Sequence, residues 1–451
     1  MGEFNRTNDI VLLLDRFSDD GKKLYESLKL SGIEAQTIVI EDDGFLPEGV
    51  VSVFEYYLGD FKSSVKCPGR PRYFNEVEVP PYWEIEANNR QGTIKNMNRT
   101  RGNIFFSNPA HQRFIRVVDW LDEKGIPRIS EHYNKYGALY ARTTFNEKGE
   151  KVCKSYFSVD GKEVICENYV TKDILLEDGG KTFVFKNTID FVRHFFERKN
   201  LGDCRIFYNS LWIPFFVSEG LPQNGKGDIL FWQEGKRNDI PGNMLGILNG
   251  TSPRTGAVMV QKRAAYDGLV SLGANTDVLK RLGYVYPFTK ENLGGREVLI
   301  CTNSDQIAHV EDIIAALPDL HFNIAAITEM SAKLMKLGGL ENVSLYPGAK
   351  SSVFEKLFAK CDIYLDINRY DEIVTAVERA FLANQLIFAF KETKHNDVYL
   401  TEENLYGEDE WKMMVGDIKD ILMNPEMRNE RLRVQREKAL TEKRENYLEL
   451  L

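Results

Sequence analysis

The chain opens with a short apolar stretch, an amphipathic segment and a second apolar stretch. Residues 10–14 are continuously apolar, which is typical of a strand that is buried on both faces of a sheet. Ser18 can cap a helix that begins at Asp19 and places Leu24 and Leu28 near one face. Residues 37–40 then predict a second strand. This part of the chain therefore predicts a β-α-β unit.

From about residue 45 to 185 the pattern changes to short β-prone segments separated by turns. Segments such as 138–145 and 152–157 are rich in residues that favour strands. Glycine accepts the positive φ angles that tight hairpin turns require. Glycines close four turn-like clusters at a spacing of twelve residues: Gly125, Gly137, Gly149 and Gly161. The spacing predicts an antiparallel β-meander inserted into, or appended to, the α/β domain.

After residue 187 apolar strands and helical segments alternate again. The first series of predicted strands is 205–208, 228–232 and 257–260, and the second is 297–301, 323–327, 343–345, 362–367 and 386–390. Helical segments such as 352–360 and 373–382 separate the later strands, which is typical of a doubly wound parallel sheet. The predicted fold class is α/β and GT-B-like, with two facing Rossmann-like domains and an inserted antiparallel β-meander domain.

The same pattern predicts where the domains begin and end. The N-terminal Rossmann-like domain is expected in two parts, the meander between them, and a C-terminal Rossmann-like domain followed by a basic helix. The predicted ranges are 1–44 and 187–290 for the first domain, 45–186 for the meander, 291–425 for the second domain and 426–451 for the helix.

Composition narrows the range of functions. The chain has 58 Lys and Arg against 67 Asp and Glu, a net charge of −9 that argues against nucleic acid as the main ligand. Its six cysteines form no CxxC pair and fit a reducing compartment. The histidines show no metal-ligand spacing, so no metal site is expected. We find no apolar stretch of membrane-spanning length and expect a cytoplasmic protein.

The strand predicted at 362–367 ends in the region where an open α/β sheet binds its ligands. Retaining GT-B transferases, which this fold resembles, hold the sugar donor there with two glutamates eight positions apart. Placing the second at Glu378 puts Tyr370 at the first position, and Glu372 is two residues out of register. Catalytic relatives also hold the leaving diphosphate with basic residues after the first strand of this domain. This chain has Asn303 and Asp305 there instead.

These five residues predict a degenerate donor site with no catalytic residue, because a carboxylate stands where a cation should stabilise the leaving group. Asp366 and Glu378 have the alternative interpretation of helix-cap and surface groups. In the meander, aromatic and imidazole side chains suit an extended polypeptide, although half of them could equally form the buried face. The candidate acceptor-binding residues are Trp120, His132, Tyr133 and Tyr136.

The C-terminal helix, predicted from about Pro425, is locally basic between Arg428 and Arg444 and has a ragged apolar stripe. Contact with an anionic membrane surface is one interpretation. The favoured one is a solvated helix that packs back on the domain, because the stripe is weak.

Several short strings in this order resemble the GtfB family, the glycosylation chaperones of the accessory Sec system in Gram-positive bacteria. The strings are 118–122, 131–134, 228–234, 241–244 and 303–306, and the resemblance runs from the first strand to about residue 400. It implies a cytosolic partner of a catalytic subunit, GtfA, in a hetero-oligomer that we expect to be a heterotetramer. It also implies a location in the cytosol or peripherally on the cytoplasmic face of the membrane.

The resemblance implies that the two subunits attach the first sugar, GlcNAc or glucose, to Ser and Thr of serine-rich repeat adhesins. The UDP-sugar would be used by the catalytic partner, and this chain would need no cofactor of its own. Our leading hypothesis is a non-catalytic co-activator that binds its partner and the acceptor polypeptide. The alternatives are a retaining GT-B transferase active by itself and a scaffold that contacts no substrate.

Overall fold

The computed structural model describes residues 9–451 and confirms the opening β-α-β unit. Ser18 caps the first helix by accepting a hydrogen bond from the backbone of Gly21. Leu24 and Leu28 are buried on one face of this helix. The elements of this part are β1 (Ile10–Arg16), α1 (Asp19–Leu30), β2 (Gln36–Glu41) and β3 (Val50–Ser52).

The meander is an antiparallel sheet in which each strand pairs with the next along the chain. Its four predicted turn glycines all have φ between 77° and 79°, as the twelve-residue spacing predicts. The strands are β4 (Glu84–Ala87), β5 (Gln91–Asn96), β6 (Arg99–Phe106), β7 (Ile115–Leu121), β8 (Pro127–Tyr133), β9 (Leu139–Phe145), β10 (Lys151–Phe157), β11 (Glu163–Asn168), β12 (Ile174–Asp178) and β13 (Lys181–Phe185).

The chain then returns to the first sheet through α2 (Thr188–Arg198), β14 (Arg205–Tyr208), α3 (Ile213–Glu219), β15 (Asp228–Trp232), α4 (Gly242–Leu248), β16 (Thr255–Val260), α5 (Arg263–Ser271) and β17 (Leu279–Arg281). The described residues form a parallel sheet in the order β3-β2-β1-β14-β15-β16-β17. This is the Rossmann strand order with one strand added at the edge.

The second unit, residues 283–451, repeats that order with β20-β19-β18-β21-β22-β23, again all parallel. Its strands are β18 (Glu297–Thr302), β19 (His321–Ala326), β20 (Val343–Tyr346), β21 (Ile363–Asp366), β22 (Leu386–Phe390) and β23 (Leu405–Tyr406). Its helices are α6 (Val310–Ala316), α7 (Ala332–Met335), α8 (Ser351–Lys360), α9 (Ala376–Leu382), α10 (Trp411–Met423), α11 (Pro425–Lys438) and α12 (Arg444–Leu448).

Two hydrophobic cores hold the meander in place. In its second half, Tyr156, Ile165 and Leu176 share a core with Phe191 and Phe195 of α2, so this half is fixed to the first Rossmann-like sheet. In its first half, one sheet face forms a smaller core of its own: Val77, Ile94, Ile104, Phe106, Ile115, Val118 and Tyr133.

The predicted start of the meander at residue 45 is too early. Val50–Ser52 pairs in parallel with β2 and is the edge strand of the first sheet, so the insert begins after it. Three residues are too few to show an apolar pattern, and for this reason the sequence did not reveal the strand.

The C-terminal residues 426–451 are part of the second unit instead of a separate helix. Leu432 and Gln435 of α11 are buried, and Gln435 exchanges hydrogen bonds with the backbone of Gln385 and Ile387 beside β22. Arg431 forms an ion pair with Asp417 of α10 at 2.7 Å. These contacts support the interpretation in which the helix packs back on the domain. Within residues 9–451, no helix is both long and apolar enough to span a bilayer.

Candidate functional site

The strand order of the second sheet reverses between β18 and β21, and open α/β sheets bind ligands at the carboxyl ends of such a strand pair. The loops after the two strands are joined to each other. Thr302 Oγ1 donates to Asn368 Oδ1 at 2.9 Å, and the backbone N–H of Arg369 donates to the carbonyl of Gln306 at 3.0 Å. The structure therefore brings the loop with Asn303 and Asp305 against the loop with Tyr370 and Glu372.

A buried ion pair occupies the carboxyl end of β21. Asp366 is 1% exposed, and its Oδ1 lies 2.6 Å from His395 Nδ1. The backbone N–H of His395 donates to Asp366 Oδ2 at 2.8 Å. The second ring nitrogen, Nε2, lies 2.5 Å from the carbonyl oxygen of Tyr370. His395 thus ties the loop after β21 to the loop after β22.

The hydrogen bonds of His395 require its charged form, because both ring nitrogens face acceptors. Burial alone lowers the pKa of His395, but the Asp366 carboxylate and the Tyr370 carbonyl outweigh it and raise the pKa to about 9. We conclude that the imidazolium fills this part of the crevice with a fixed internal charge. Asp366 is accordingly a buried ion-pair partner, and the interpretation of Asp366 as a helix cap is wrong.

The two glutamates of the candidate donor site have structural partners. Glu372 accepts a hydrogen bond from the backbone N–H of Val377 at 2.8 Å, in the first turn of α9, and its burial raises its pKa. Glu378 accepts a weak hydrogen bond from the Tyr399 hydroxyl at 3.4 Å. Tyr370 is 57% exposed. Both glutamates therefore hold local structure, and the degenerate donor site stays a prediction.

The backbone between Glu372 and α9 is strained. Val374 and Thr375 both have φ of 50°, a left-handed conformation that β-branched residues adopt rarely. Such consecutive strain persists only where surrounding contacts hold the chain, here the bonds of Glu372 and His395. The loop that would admit a donor is therefore fixed from both sides.

The loop after β18 presents an acid and no cation. Asp305 accepts hydrogen bonds from Ser331 Oγ at 2.9 Å and Gln306 Nε2 at 3.0 Å, and these two bonds lower its pKa, so it is ionised at neutral pH. Asn303 is half-buried, and its Oδ1 has no hydrogen-bond partner among the described residues. The cation on the neighbouring loop, Arg369, contacts Glu408. A leaving diphosphate would meet negative charge at Asp305 without a compensating cation on these two loops.

The structure separates the four acceptor-binding candidates of the meander. Trp120 and Tyr133 lie on one face and both donate to Glu131 Oε2, at 3.0 and 3.1 Å, and Tyr133 is only 6% exposed. His132 points to the opposite face, where its Nε2 lies 2.9 Å from Thr143 Oγ1 and burial lowers its pKa to about 3. Tyr136 lies beyond the end of β8, with Lys135 Nζ 5.3 Å from its ring centre. They do not form one binding surface.

Sequence reasoning missed the partnership of Asp366 and His395, which are 29 positions apart. The available signal was their position, since Asp366 ends one strand and His395 follows the neighbouring strand within a few residues. Carboxyl ends of parallel strands meet at one edge of a sheet. Within residues 9–451, no three His, Cys, Asp or Glu side chains converge as a metal site requires.

Two Rossmann-like units, the first of which carries an antiparallel insert, define a GT-B-like glycosyltransferase relative. The chain belongs to the GtfB family. Residues 11–57 match the GtfB N-terminal domain, 83–186 the GtfB middle domain, 188–272 the GtfB third domain and 298–435 the GftB/GlyA-F C-terminal domain.

The chain is similar to known relatives and to a solved structure over nearly its full length. The chain is 38% identical over 444 residues to the UDP-N-acetylglucosamine–peptide N-acetylglucosaminyltransferase stabilizing protein GtfB of Streptococcus agalactiae, covering 98% of this chain and 99% of that protein. It is 37% identical over 429 residues to the Streptococcus gordonii protein of the same name, covering 94% of each. A chain of a GtfA/B complex bound to UDP and GlcNAc superposes with a TM-score of 0.85 at 36% identity, covering 98% of this chain and 99% of that one.

Proposed function

We propose that this chain is the non-catalytic, stabilising subunit of a two-subunit transferase that attaches GlcNAc from UDP-GlcNAc to a polypeptide. The observation that supports this most strongly is the carboxyl end of the second sheet, where Asp366 forms a buried ion pair with His395 and Asp305 places an acid where a leaving diphosphate would need a cation. The names of the relatives and the GtfA/B complex supply the kind of partner, a GtfA-type transferase. UDP-GlcNAc would be bound and used by that partner.

The finer parts of the proposal follow from the family. The acceptor is a serine-rich repeat adhesin, the complex is a heterotetramer formed in the cytoplasm, and the adhesin then leaves by the accessory Sec system. Any contact with the membrane is peripheral. Trp120 and Tyr136, which keep part of their side chains exposed, remain our candidates for acceptor contacts on the meander.

A reconstituted complex tests the assignment of chemistry to the partner. We expect Glu372→Ala and Glu378→Ala in this chain to leave the turnover number of the complex unchanged, because both side chains only hold local structure. Assembly is checked by size-exclusion chromatography with mass measurement. Loss of turnover in a fully assembled complex would contradict the proposal and favour a donor site in this chain.

A further inference from the structure

The first unit contains a cavity that the proposed function does not use. It lies between the last turns of α1 and the beginning of β2 and has a volume of about 350 Å³. Because β1 and β2 are parallel, α1 returns the chain to the amino edge of the sheet, and the cavity lies at that edge. Rossmann-like sheets bind their usual ligands at the opposite, carboxyl edge, so this cavity is a different kind of site.

The walls of the cavity are mainly apolar and are held by local contacts. Leu28 and Ile33 line it and are 2% and 4% exposed. The backbone N–H of Ile33 donates to the carbonyl of Leu28 at 2.9 Å, which closes the end of the helix. The half-buried ring of Tyr25 also lines the cavity and meets the ring of Phe17 edge-on at 5.8 Å. A wall of this kind binds a ligand without the entropy cost of ordering a flexible segment.

The cavity is open because Gly32 and Ala35, which line it, carry little or no side chain. Gly32 has φ of 76°, and beyond its two chain neighbours a Cβ at this position would meet no heavy atom of the described chain within 4 Å. For comparison, an apolar cavity of about 150 Å³ holds one benzene molecule. The cavity beside Gly32 is more than twice as large and can therefore hold a pair of fused rings.

A buried hydroxyl group without a partner belongs to the lining of the cavity. Thr37 of β2 lines the cavity and is 2% exposed. Its Oγ1 has no hydrogen-bond partner anywhere in the part of the chain that the structure describes. A buried hydroxyl without a partner is costly, and water or a ligand often completes such a group. We therefore expect a ligand with a hydrogen-bonding group to bind more tightly than an apolar ligand of the same shape.

The charges beside the cavity do not favour an ion. Lys29 and Glu34 line it, are exposed and have opposite charges, so their effects on a ligand largely cancel. The buried lining residues Leu28, Ile33 and Thr37 carry no charge. An ionic group placed against them would lose its hydration without a compensating partner. The cavity therefore suits an uncharged molecule.

We propose that this cavity binds a small uncharged molecule with a planar apolar body, the size of a pair of fused rings, and a hydroxyl or amide group that pairs with Thr37 Oγ1. Its volume is in the range of small-molecule sites, which begins at roughly 300 Å³. The ligand would stabilise the first unit, because a molecule that binds only the folded chain adds to its stability. This role is independent of sugar transfer.

The test titrates the purified full chain with 2-naphthol, a pair of fused rings with a hydroxyl group, and with naphthalene, which lacks the hydroxyl group. Probe fluorescence measures the affinity, and the unfolding temperature reports the folded state of each variant and its stabilisation by the probe. Thr37→Val should lower the ratio of the 2-naphthol affinity to the naphthalene affinity about tenfold, because it removes the hydrogen bond. Ala35→Leu should weaken binding of both probes at least about tenfold, because it fills the cavity.

Thr441→Val is the matched control. It removes another buried hydroxyl group that lacks a partner in the described chain, but Thr441 belongs to the second unit. This variant should bind both probes like the wild type.

The inference is supported if the affinity ratio falls in Thr37→Val and both probes bind more weakly to Ala35→Leu. Failure of the wild type to bind 2-naphthol at about 1 mM, the weak end of specific affinities, overturns it. Equal affinity of the wild type and a folded Ala35→Leu chain also overturns it, because the probe would then bind elsewhere. An affinity ratio that is the same in the wild type and in Thr37→Val overturns it as well.

Discussion

Replacing His395 by alanine should destabilise the second unit in a pH-dependent way. The substitution leaves Asp366, which is 1% exposed, with the backbone N–H of residue 395 as its remaining donor at this side. Removing one partner of a buried ion pair costs about 3–5 kcal/mol in well-buried cases. Because Asp366 keeps that backbone bond, the lower end of this range applies.

The raised pKa of His395 gives a second value for the destabilisation that His395→Ala should cause. A rise from 6.5 to about 9 corresponds to ~3 kcal/mol, at about 1.4 kcal/mol for each pH unit. The side chain is 15% exposed, and solvent screening lowers the expected value to ~2–3 kcal/mol. Both routes therefore agree on about 2–3 kcal/mol at pH 6.

The sign of the pH dependence follows from the raised pKa. Below pH 6.5 His395 is charged in both the folded and the unfolded chain, so the ion pair contributes fully to stability. Between pH 6.5 and about 9 the unfolded chain releases the proton first, and the contribution is lost. His395→Ala should therefore cost about 2–3 kcal/mol at pH 6 and markedly less at pH 9.5.

Urea unfolding followed by pulse proteolysis, with fragments of residues 283–451 identified by mass, measures this difference for the second unit. Lys394→Ala is the matched control, because Lys394 forms only a partly exposed contact with Asp397 and should change stability by less than ~0.5 kcal/mol. An equal cost of His395→Ala at both pH values would refute the ion-pair reasoning. So would a cost at pH 6 no larger than that of Lys394→Ala.

Three further predictions concern the first unit, 9–282. Arg254→Met should lower the free energy of unfolding by about 3–5 kcal/mol in urea unfolding, because it leaves the fully buried Asp228 without its ion-pair partner. A loss below ~1 kcal/mol would contradict this. Gly125→Ala should destabilise the unit by ~1–2 kcal/mol, because alanine is strained at the positive φ of this position. Gly137→Ala should destabilise it more, since the added Cβ would also lie 2.6 Å from the Arg70 carbonyl oxygen. Equal destabilisation by the two substitutions would argue against that crowding. Burial lowers the pKa of His132 to about 3, so its contribution to stability is present above pH 6.5 and is lost as the pH falls toward 3. His132→Gln should make the free energy of unfolding less dependent on pH over this range. An unchanged pH dependence would contradict the prediction.

Much of the fold could be predicted from the local pattern of residues along the chain. The apolar stretch at 10–14, the Ser18 cap and the regular turn glycines each act over a few residues, so the sequence shows them directly. The strand at Val50–Ser52 has three residues and depends on pairing with β2, a tertiary contact with no local pattern. The boundary of the meander was misplaced for this reason.

The candidate site, like the fold, could be predicted from the sequence only in part. Asp305 and Tyr370 were predicted to belong to a degenerate donor site, because each stands at a position where a transferase needs different chemistry, and this stays a prediction. The ion pair of His395 with Asp366 could not be predicted, since the two side chains meet only when β21 and β22 pair in the sheet. For the same reason the faces of Trp120 and His132 emerged only with the strand register.

The central claim is that this chain performs no sugar transfer by itself. The most direct test incubates the purified chain alone, the GtfA-type partner alone and their mixture with UDP-GlcNAc and a Ser/Thr-rich polypeptide, and follows modification by mass spectrometry. We predict no modified product from this chain alone and more product from the mixture than from the partner alone. Product formed at a sustained rate by this chain without its partner would contradict the account.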